Sequence, residues 1–206
     1  MYARTNTVMA DPQAIDRSIA YTRDEVMPLV QGMDGFIGLS MLADRESGRC
    51  IVTTAWRTEE AMQASEEGVR ASRERAAEIF GAVLEAARWE IAVMHRMHET
   101  GEGARTRVIW GHTEPGHMDD MLSEFRMTTM PQMEQLPGFA SCNLMVNRSS
   151  GHTALASTYD SADTMRQASD RAAALRREAS ATLQLEIDEV AEFDLVLAHL
   201  RVPETV

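Results

Sequence analysis

The sequence predicts an α+β fold of two tandem ferredoxin-like plaits, and three observations lead to this prediction. Residues 34–65 return as residues 137–169, with Trp56 answered by Tyr159 at an offset of 103. The correspondence continues on both sides with one inserted residue, so the repeat covers nearly the whole chain. Each copy also has the element order β-α-β-β-α-β, which is that of a ferredoxin-like plait.

Hydrophobic periodicity and turn residues predict the elements of the first copy in order. Asp11 and Pro12 are typical of a helix start, and Pro28 should kink or end the helix that follows. The polar stretch 44–48 predicts a hairpin between two strands. The predicted elements are strands over 2–9, 36–43, 49–56 and 89–97, a first helix after Asp11, and a second from Thr58 with a break near Gly68.

The second copy repeats this order and sets the domain boundaries. We expect one repeat over residues 1–98, a glycine-containing linker over 99–105 and a second repeat over 106–203. A plait carries helices on one face of its sheet, so the other face needs cover. We therefore expect the two copies to bury their open sheet faces against each other.

Composition excludes several classes of function. The net charge of −12 argues against nucleic acid or an anionic membrane surface as a partner, because both need a basic footprint. All 20 basic residues are arginine, which excludes Schiff-base chemistry and a P-loop lysine. No stretch is long and apolar enough for a membrane span, so we expect a cytoplasmic protein. Cys50 and Cys142 occupy non-equivalent places and are expected to be free, buried thiols.

A motif in the first copy, which the second copy matches less closely, resembles a known family. It consists of Gly-Phe, a polar hairpin, a Val/Thr-rich strand ending in Trp56, and a Thr-Glu-Glu-Ala turn into a helix. This pattern is similar to the antibiotic biosynthesis monooxygenase superfamily of dimeric α+β barrels. The resemblance implies a barrel of two plaits, normally from two chains and here within one, with a pocket in each half. Members of that superfamily include cofactor-independent oxygenases, haem-degrading enzymes and proteins without an established reaction.

The positions of the haem-degrading branch are met only in part. The resemblance places Asn6 at that branch's asparagine, but Ser65 stands at its tryptophan and Glu74 at its iron-binding histidine. In the second copy Glu178 stands at the histidine position. A carboxylate is a poor substitute for imidazole as a proximal haem ligand, so haem degradation is disfavoured.

The quinone-forming branch leads to the candidate site. Trp56 matches its tryptophan, whereas Val52 and Met62 replace its asparagine and tyrosine. The resemblance implies a monooxygenase that acts without a cofactor on an electron-rich, polyketide-like aromatic. The alternative is a non-catalytic protein that binds a hydrophobic metabolite, and a third possibility is an oligomer-forming domain without a ligand. A further homo-oligomer is compatible with each.

We predict four site residues. Asn6 and Trp56 are the catalytic candidates, and both are expected to contact substrate together with Tyr159 and Ser65. Because the second copy has Ile109 in place of Asn6, we expect one ligand, bound in the first copy. The alternative for Trp56 and Tyr159 is aromatic packing in the core, and for Asn6 a strand-edge side chain satisfied by backbone.

Other polar residues have simpler interpretations. His95 and His199 are equivalent in the repeat, but each stands alone in its strand and is expected to be solvated or at an interface. His112 and His117 precede a helix and could present a metal site, although a solvated loop is the expectation. Arg176 alternates with acidic residues and is expected on a solvated helix face. No metal or cofactor is therefore predicted.

Overall fold

The computed structural model describes residues 1–80 and 83–200. The last residues of the predicted second repeat, 201–203, lie outside the described residues. The strands are β1 (Tyr2–Met9), β2 (Phe36–Ala43), β3 (Arg49–Trp56), β4 (Val83–Arg96), β5 (Arg105–His112), β6 (Phe139–Val146), β7 (His152–Tyr159) and β8 (Glu186–Leu200). The helices are α1 (Ile15–Tyr21), α2 (Met27–Gln31), α3 (Glu59–Gly68), α4 (Arg70–Phe80), α5 (Met118–Glu124), α6 (Met130–Met133) and α7 (Ala162–Thr182).

The predicted fold class is confirmed. The chain is α+β, and both copies have the β-α-β-β-α-β order of a ferredoxin-like plait. The hydrogen-bonded strand order is β1-β3-β2-β8-β5-β7-β6-β4. Among the described residues, no helix is both long enough and apolar enough to cross a lipid bilayer.

Contacts divide the chain into two compact units. The first unit is Met1–Trp89 with the described part of Phe193–Pro203, and the second is Glu90–Glu192. Strands β4 and β8 each contribute residues to both units. The repeat boundaries predicted at 98 and 106 refer to the sequence copies and stay a prediction.

The first unit contains the strand order β4-β1-β3-β2-β8. Strands β1 and β3 are antiparallel, with Tyr2 opposite Trp56, and β2 carries a bulge between Phe36 and Gly38. Its helices contribute to two buried apolar clusters, of which one surrounds Trp56.

The second unit contains the order β8-β5-β7-β6-β4. Strands β5 and β7 are antiparallel, with Arg105 opposite Tyr159. One large apolar cluster lies between its sheet and its helices, and methionines from α5 and α6 contribute to it. Alternation along β5 turns Arg107 and Ile109 toward the helices.

Pro28 neither ends nor breaks the first helix. A π-helical turn over Thr22–Val26 precedes it, and α2 continues to Gln31. A π-turn shifts the backbone hydrogen-bond pattern, so the missing proline N–H is accommodated. The second unit repeats this device with a π-turn over Phe125–Thr129 ahead of Pro131.

The Gly-Phe motif is explained by close packing. Gly138 has φ of 66°, and a β-carbon there would lie 2.3 Å from Cβ of Thr164 in the first turn of α7. Gly35 is equivalent, because its β-carbon would lie 2.6 Å from Cβ of Ala61. The glycine therefore lets the turn before a strand lie directly against the start of the following helix.

Candidate functional site

A cavity lies in the second unit between the sheet and the helices. Its apolar wall includes Ile109 from β5, Leu155 from β7, Met121 from α5 and Leu175 from α7. A volume of about 70 Å³ is open to the centres of water molecules. One water molecule needs roughly 10–15 Å³ of the volume that is open to water centres, so the cavity has room for about five to seven water molecules. Each occupies about 30 Å³ in the liquid, so this room corresponds to a ligand of roughly 140–210 Å³. This is the size of a compact aromatic molecule.

Arg107 supplies the principal charge in the cavity wall. It is 5% exposed, and its Nε and Nη2 donate to Oε1 of Glu192 at 3.0 and 2.7 Å. Nη2 also donates to Ser169 Oγ at 3.3 Å. Nη1 is buried and has no hydrogen-bond partner. A buried donor without an acceptor is costly, so this nitrogen is a candidate contact for a ligand oxygen.

Tyr159 and Arg176 lie beside Arg107. The Arg107 Cζ atom is 5.8 Å from the centre of the Tyr159 ring. Burial raises the pKa of Tyr159, against the opposing effect of the Arg107 guanidinium, so its hydroxyl stays protonated at neutral pH. Burial and then the positive charge of Arg107 lower the pKa of Arg176. Two cations and one phenol hydroxyl therefore border the same cavity.

Two other polar groups of the wall, Thr153 and Ser180, already have partners. Thr153 donates to the carbonyl of Gly111 at 3.2 Å, and Ser180 donates to the carbonyl of Leu185 at 2.6 Å. Their hydroxyl hydrogens are used within the fold. The groups around Arg107 are thus the ones best placed to orient a ligand.

Register places a row of polar residues across this sheet. Arg107 is opposite Ser157, Ser157 is opposite Cys142, and Cys142 is opposite His95. His95 Nε2 lies 3.0 Å from Oε1 of Glu134 but lacks hydrogen-bond geometry to it. This carboxylate could not be predicted as a neighbour of His95, because Glu134 follows α6 and is distant from His95 in the chain. Burial raises the pKa of the Cys142 thiol to about 12, so it is an inert thiol.

The first unit has a counterpart to Arg107. Arg4 is 4% exposed and donates to the carbonyl of Met62 at 2.5 Å and to Ser65 Oγ at 3.2 Å. It also lies 3.3 Å from a carboxylate oxygen of Glu66. In both units, therefore, a buried arginine in the first strand of the copy donates a hydrogen bond to a serine in the helix after its third strand.

The structure places the four predicted site residues in different roles. Trp56 is fully buried, donates from Nε1 to Thr54 Oγ1 at 3.1 Å and packs edge-on against Phe36. Ser65 donates to the carbonyl of Met62 at 2.7 Å while accepting from Arg4.

The other two predicted residues differ in burial. Asn6 is half-buried, and alternation along β1 puts it on the same face as Arg4. Tyr159 lines the second-unit cavity and is 1% exposed. The ligand roles predicted for all four residues stay predictions.

Sequence reasoning missed Arg107 and misplaced Arg176. Arg107 repeats Arg4 at the offset of 103, and this arginine at equivalent positions of both copies was the available signal. Arg176 was expected on a solvated face, but it is half-buried and lines the cavity. The guanidinium ends a long apolar stem, so an arginine can border a cavity from a largely polar helix face.

The histidines are distributed over several places. His199 Nε2 lies 3.0 Å from Nε2 of Gln31. His112 Nδ1 lies 2.9 Å from Asp188, and this hydrogen bond raises the pKa of His112. His117, the suggested partner of His112, ends a 3₁₀ turn and is exposed. Within residues 1–80 and 83–200, no three His, Cys, Asp or Glu side chains are grouped to hold a metal ion.

The residues at the haem-ligand positions lie on the surface. Glu74 and Glu178 are both exposed, and the cavity wall in α7 is formed instead by neighbours such as Leu175 and Ala179. Neither glutamate is placed to bind an iron in the second-unit cavity. The sequence-based argument against haem degradation stays a prediction.

Comparison with known sequences identifies relatives over the full length. A family model described as antibiotic biosynthesis monooxygenase matches residues 1–76. An uncharacterised protein of Mycobacterium tuberculosis is 47% identical over 210 residues, covering 100% of this chain and 92% of the relative. A second uncharacterised protein of the same organism is 45% identical over 207 residues, covering 100% of this chain and 88% of the relative.

Solved structures share the fold at low sequence identity. A candidate monooxygenase of Fusobacterium nucleatum has a TM-score of 0.73 at 12% identity, covering 97% of this chain and 94% of its own. An anthrone oxidase-like protein has a TM-score of 0.69 at 14% identity, covering 99% of this chain and 94% of its own. Similarity at this level of identity establishes the shared fold.

Proposed function

Because this chain belongs to the antibiotic biosynthesis monooxygenase family, we propose that it oxygenates an electron-rich aromatic small molecule without a metal ion or a flavin. The reaction site is the cavity of the second unit. The observation that carries this proposal is an apolar wall interrupted by Arg107, whose Nη1 donor is buried and unpaired, with the Tyr159 hydroxyl beside it. Ligand sites have this composition, a mostly apolar cavity with a few convergent polar groups.

The chemistry requires a substrate that can itself reduce dioxygen. An activated CH₂ group beside a hydroxylated ring loses a proton, and the resulting anion transfers one electron to O₂. The carbon radical and superoxide then combine into a peroxide, which takes up a proton and loses water to leave a C=O group. The net change is CH₂ + O₂ → C=O + H₂O, so one oxygen atom enters the product and the other leaves as water.

Protein groups would act on the first of these steps. Arg107 would stabilise the negative charge on the substrate oxygen, and a neutral Tyr159 would donate a hydrogen bond to it. The wall described for the cavity contains no Asp, Glu or His, so no side chain there serves as a general base. The positive potential of the two arginines would instead lower the pKa of the bound substrate, which would release its proton to water.

The apolar wall would serve the oxygen step. Excluding water strengthens the interaction between the arginine and the substrate anion, and it protects the radical pair from solvent. The methionines Met121 and Met133 are pliable and fit around aromatic rings of different outline. Because the free volume is that of a compact aromatic molecule, a substrate of two or three fused rings would displace these pliable side chains.

The second candidate function is non-catalytic binding of a hydrophobic metabolite in the same cavity. The absence of a carboxylate or imidazole from the described wall favours it, because no acid/base pair there requires catalysis. The two candidates differ in one observable, which is oxygen consumption that depends on both protein and ligand.

Anthrone is a suitable test substrate, since its CH₂ group is activated and its oxidation to anthraquinone changes the absorption spectrum. Protein treated with a chelator should accelerate this oxidation and consume one O₂ for each anthraquinone formed. Heat-denatured protein is the control for spontaneous oxidation, and catalase is added to remove peroxide. Anthrone binding without accelerated oxidation would favour the non-catalytic candidate, and absence of both would contradict the proposed oxygenation of a neutral aromatic.

The wider setting stays a prediction from the sequence. A small-molecule partner would fit the cavity, and the cytoplasmic location stays an expectation. Further homo-oligomerisation is compatible with the proposal.

A further inference from the structure

The second-unit cavity has an excess of positive charge at its polar end. Arg107 and Arg176 both line it, and Glu192 neutralises one of these two charges. Within the described part of the chain, Arg176 forms no ion pair. The excess is notable because the protein as a whole has a net charge of −12.

The free donor lies on the same guanidinium. Glu192 occupies Nε and Nη2 of Arg107, whereas Nη1 is buried without an acceptor. Arg176 lines the same cavity as Arg107, and burial and then the positive charge of Arg107 lower the pKa of Arg176. A ligand anion beside both cations would supply the missing acceptor and offset this positive charge.

We propose that the cavity is specific for aromatic carboxylates, with the carboxylate held by Arg107 and Arg176 and the ring against the apolar wall. This inference rests on the proposed function, in that it assumes the cavity to be the ligand site. A carboxylate is favoured over a neutral phenol because it is already ionised at neutral pH and brings the compensating charge without a cost of deprotonation. Its two oxygens also match the planar donor geometry of a guanidinium.

The equivalent residues of the first unit indicate that the proposed carboxylate site belongs to the second unit alone. The Arg4 guanidinium donates hydrogen bonds to Ser65 Oγ, to the Met62 carbonyl and to the Glu66 carboxylate. The repeat equivalent of Arg176 is Ser72, which is uncharged and forms a hydrogen bond with Tyr21. The pair of cavity-lining arginines therefore belongs to the second unit.

Two matched probes test the inference without requiring turnover. Binding of 1-naphthoate and of the neutral analogue 1-naphthalenemethanol is measured by calorimetric titration of the full-length chain. The carboxylate should bind at least about tenfold more tightly, since charged hydrogen bonds exceed neutral ones by this order. Equal affinity for both probes would refute the carboxylate specificity and leave the cavity as the ligand site. Failure of both probes to bind would contradict the inference together with the proposed site.

Substitution of single arginines tests which residue binds the carboxylate. Arg176→Gln should weaken 1-naphthoate binding about threefold to tenfold, with part of the charge screened by solvent, and leave 1-naphthalenemethanol unchanged. Arg176→Lys should retain most of the affinity because it keeps the charge. The control is Arg177→Gln, which removes an exposed arginine outside the described cavity wall. An equal loss in Arg176→Gln and Arg177→Gln would show a general charge effect and overturn the assignment.

Discussion

The guanidinium of Arg107 lies against the ring of Tyr159, with Cζ 5.8 Å from the ring centre. Both side chains border the cavity, and they come from adjacent antiparallel strands, β5 and β7. Their packing leaves the phenol hydroxyl beside a buried cation. The proposed site depends on this pair, so its first test is the hydroxyl itself.

Tyr159→Phe keeps the aromatic ring and removes one hydrogen-bond donor. We expect 1-naphthoate to bind at least about tenfold more weakly to this variant, which is the effect of one hydrogen bond to a charged acceptor. Calorimetric titration measures it. Trp56→Phe, in the first unit, is the matched control and should leave the affinity unchanged. A larger loss from Trp56→Phe would instead favour the first-unit site predicted from the sequence.

The buried Arg4 should be important for stability. Arg4→Ala leaves the Met62 carbonyl and the Glu66 carboxylate without this donor, so we expect the free energy of unfolding to fall by about 2–3 kcal/mol. The matched control is Arg70→Ala, which removes an exposed pair with Glu67 and should cost at most about 0.5 kcal/mol. Urea denaturation distinguishes them, and equal effects would contradict a structural role for Arg4.

Gly138→Ala tests the explanation of the Gly-Phe motif. The new methyl group would overlap Thr164 and force a non-glycine residue into the left-handed region, so we expect a loss of about 2 kcal/mol or more. Gly116 is the control, because a β-carbon there would meet nothing within 4 Å. Gly116→Ala should change stability by less than about 0.5 kcal/mol. Comparable urea midpoints for the two variants would argue against the close approach.

His112 should make stability depend on pH. Its pKa is raised in the folded state by the hydrogen bond to Asp188, so protonation is favoured by folding. The contribution of His112 to the free energy of unfolding is therefore fully present below the unfolded pKa of about 6.5. It is lost as the pH rises through the higher pKa of the folded state. NMR titration of the imidazole should give a pKa above 6.5 that falls in Asp188→Asn. A stability profile that is identical in wild type and His112→Gln would contradict this linkage.

Local patterns in the sequence account for most of the first copy. Strands 36–43 and 49–56 agree with β2 and β3, because alternating or β-branched residues are bounded there by glycine turns. The break near Gly68 agrees with the junction of α3 and α4. Strand β4 begins at Val83, earlier than predicted, since its first residues are rich in helix-favouring Ala, Leu and Glu. Its strand state depends on pairing in the sheet, which no local window contains.

The candidate site was less accessible to sequence reasoning. Tyr159 was identified by its repeat equivalence to Trp56, but the arginines that surround it were not. Arg107 and Glu192 meet across a separation of 85 residues, and Arg176 reaches the cavity from a mostly polar helix. Contacts of this kind depend on tertiary packing, and the sequence shows them only as isolated charges.

The central claim is that the ligand occupies the second-unit cavity, and methionine methyl NMR tests it most directly. Met121 and Met133 line that cavity, whereas Met41 and Met62 lie in apolar clusters of the first unit. With ¹³C-labelled methionine methyl groups, titration with 1-naphthoate should shift the Met121 and Met133 signals and leave those of Met41 and Met62 in place. Shifts confined to Met41 and Met62 would contradict the account.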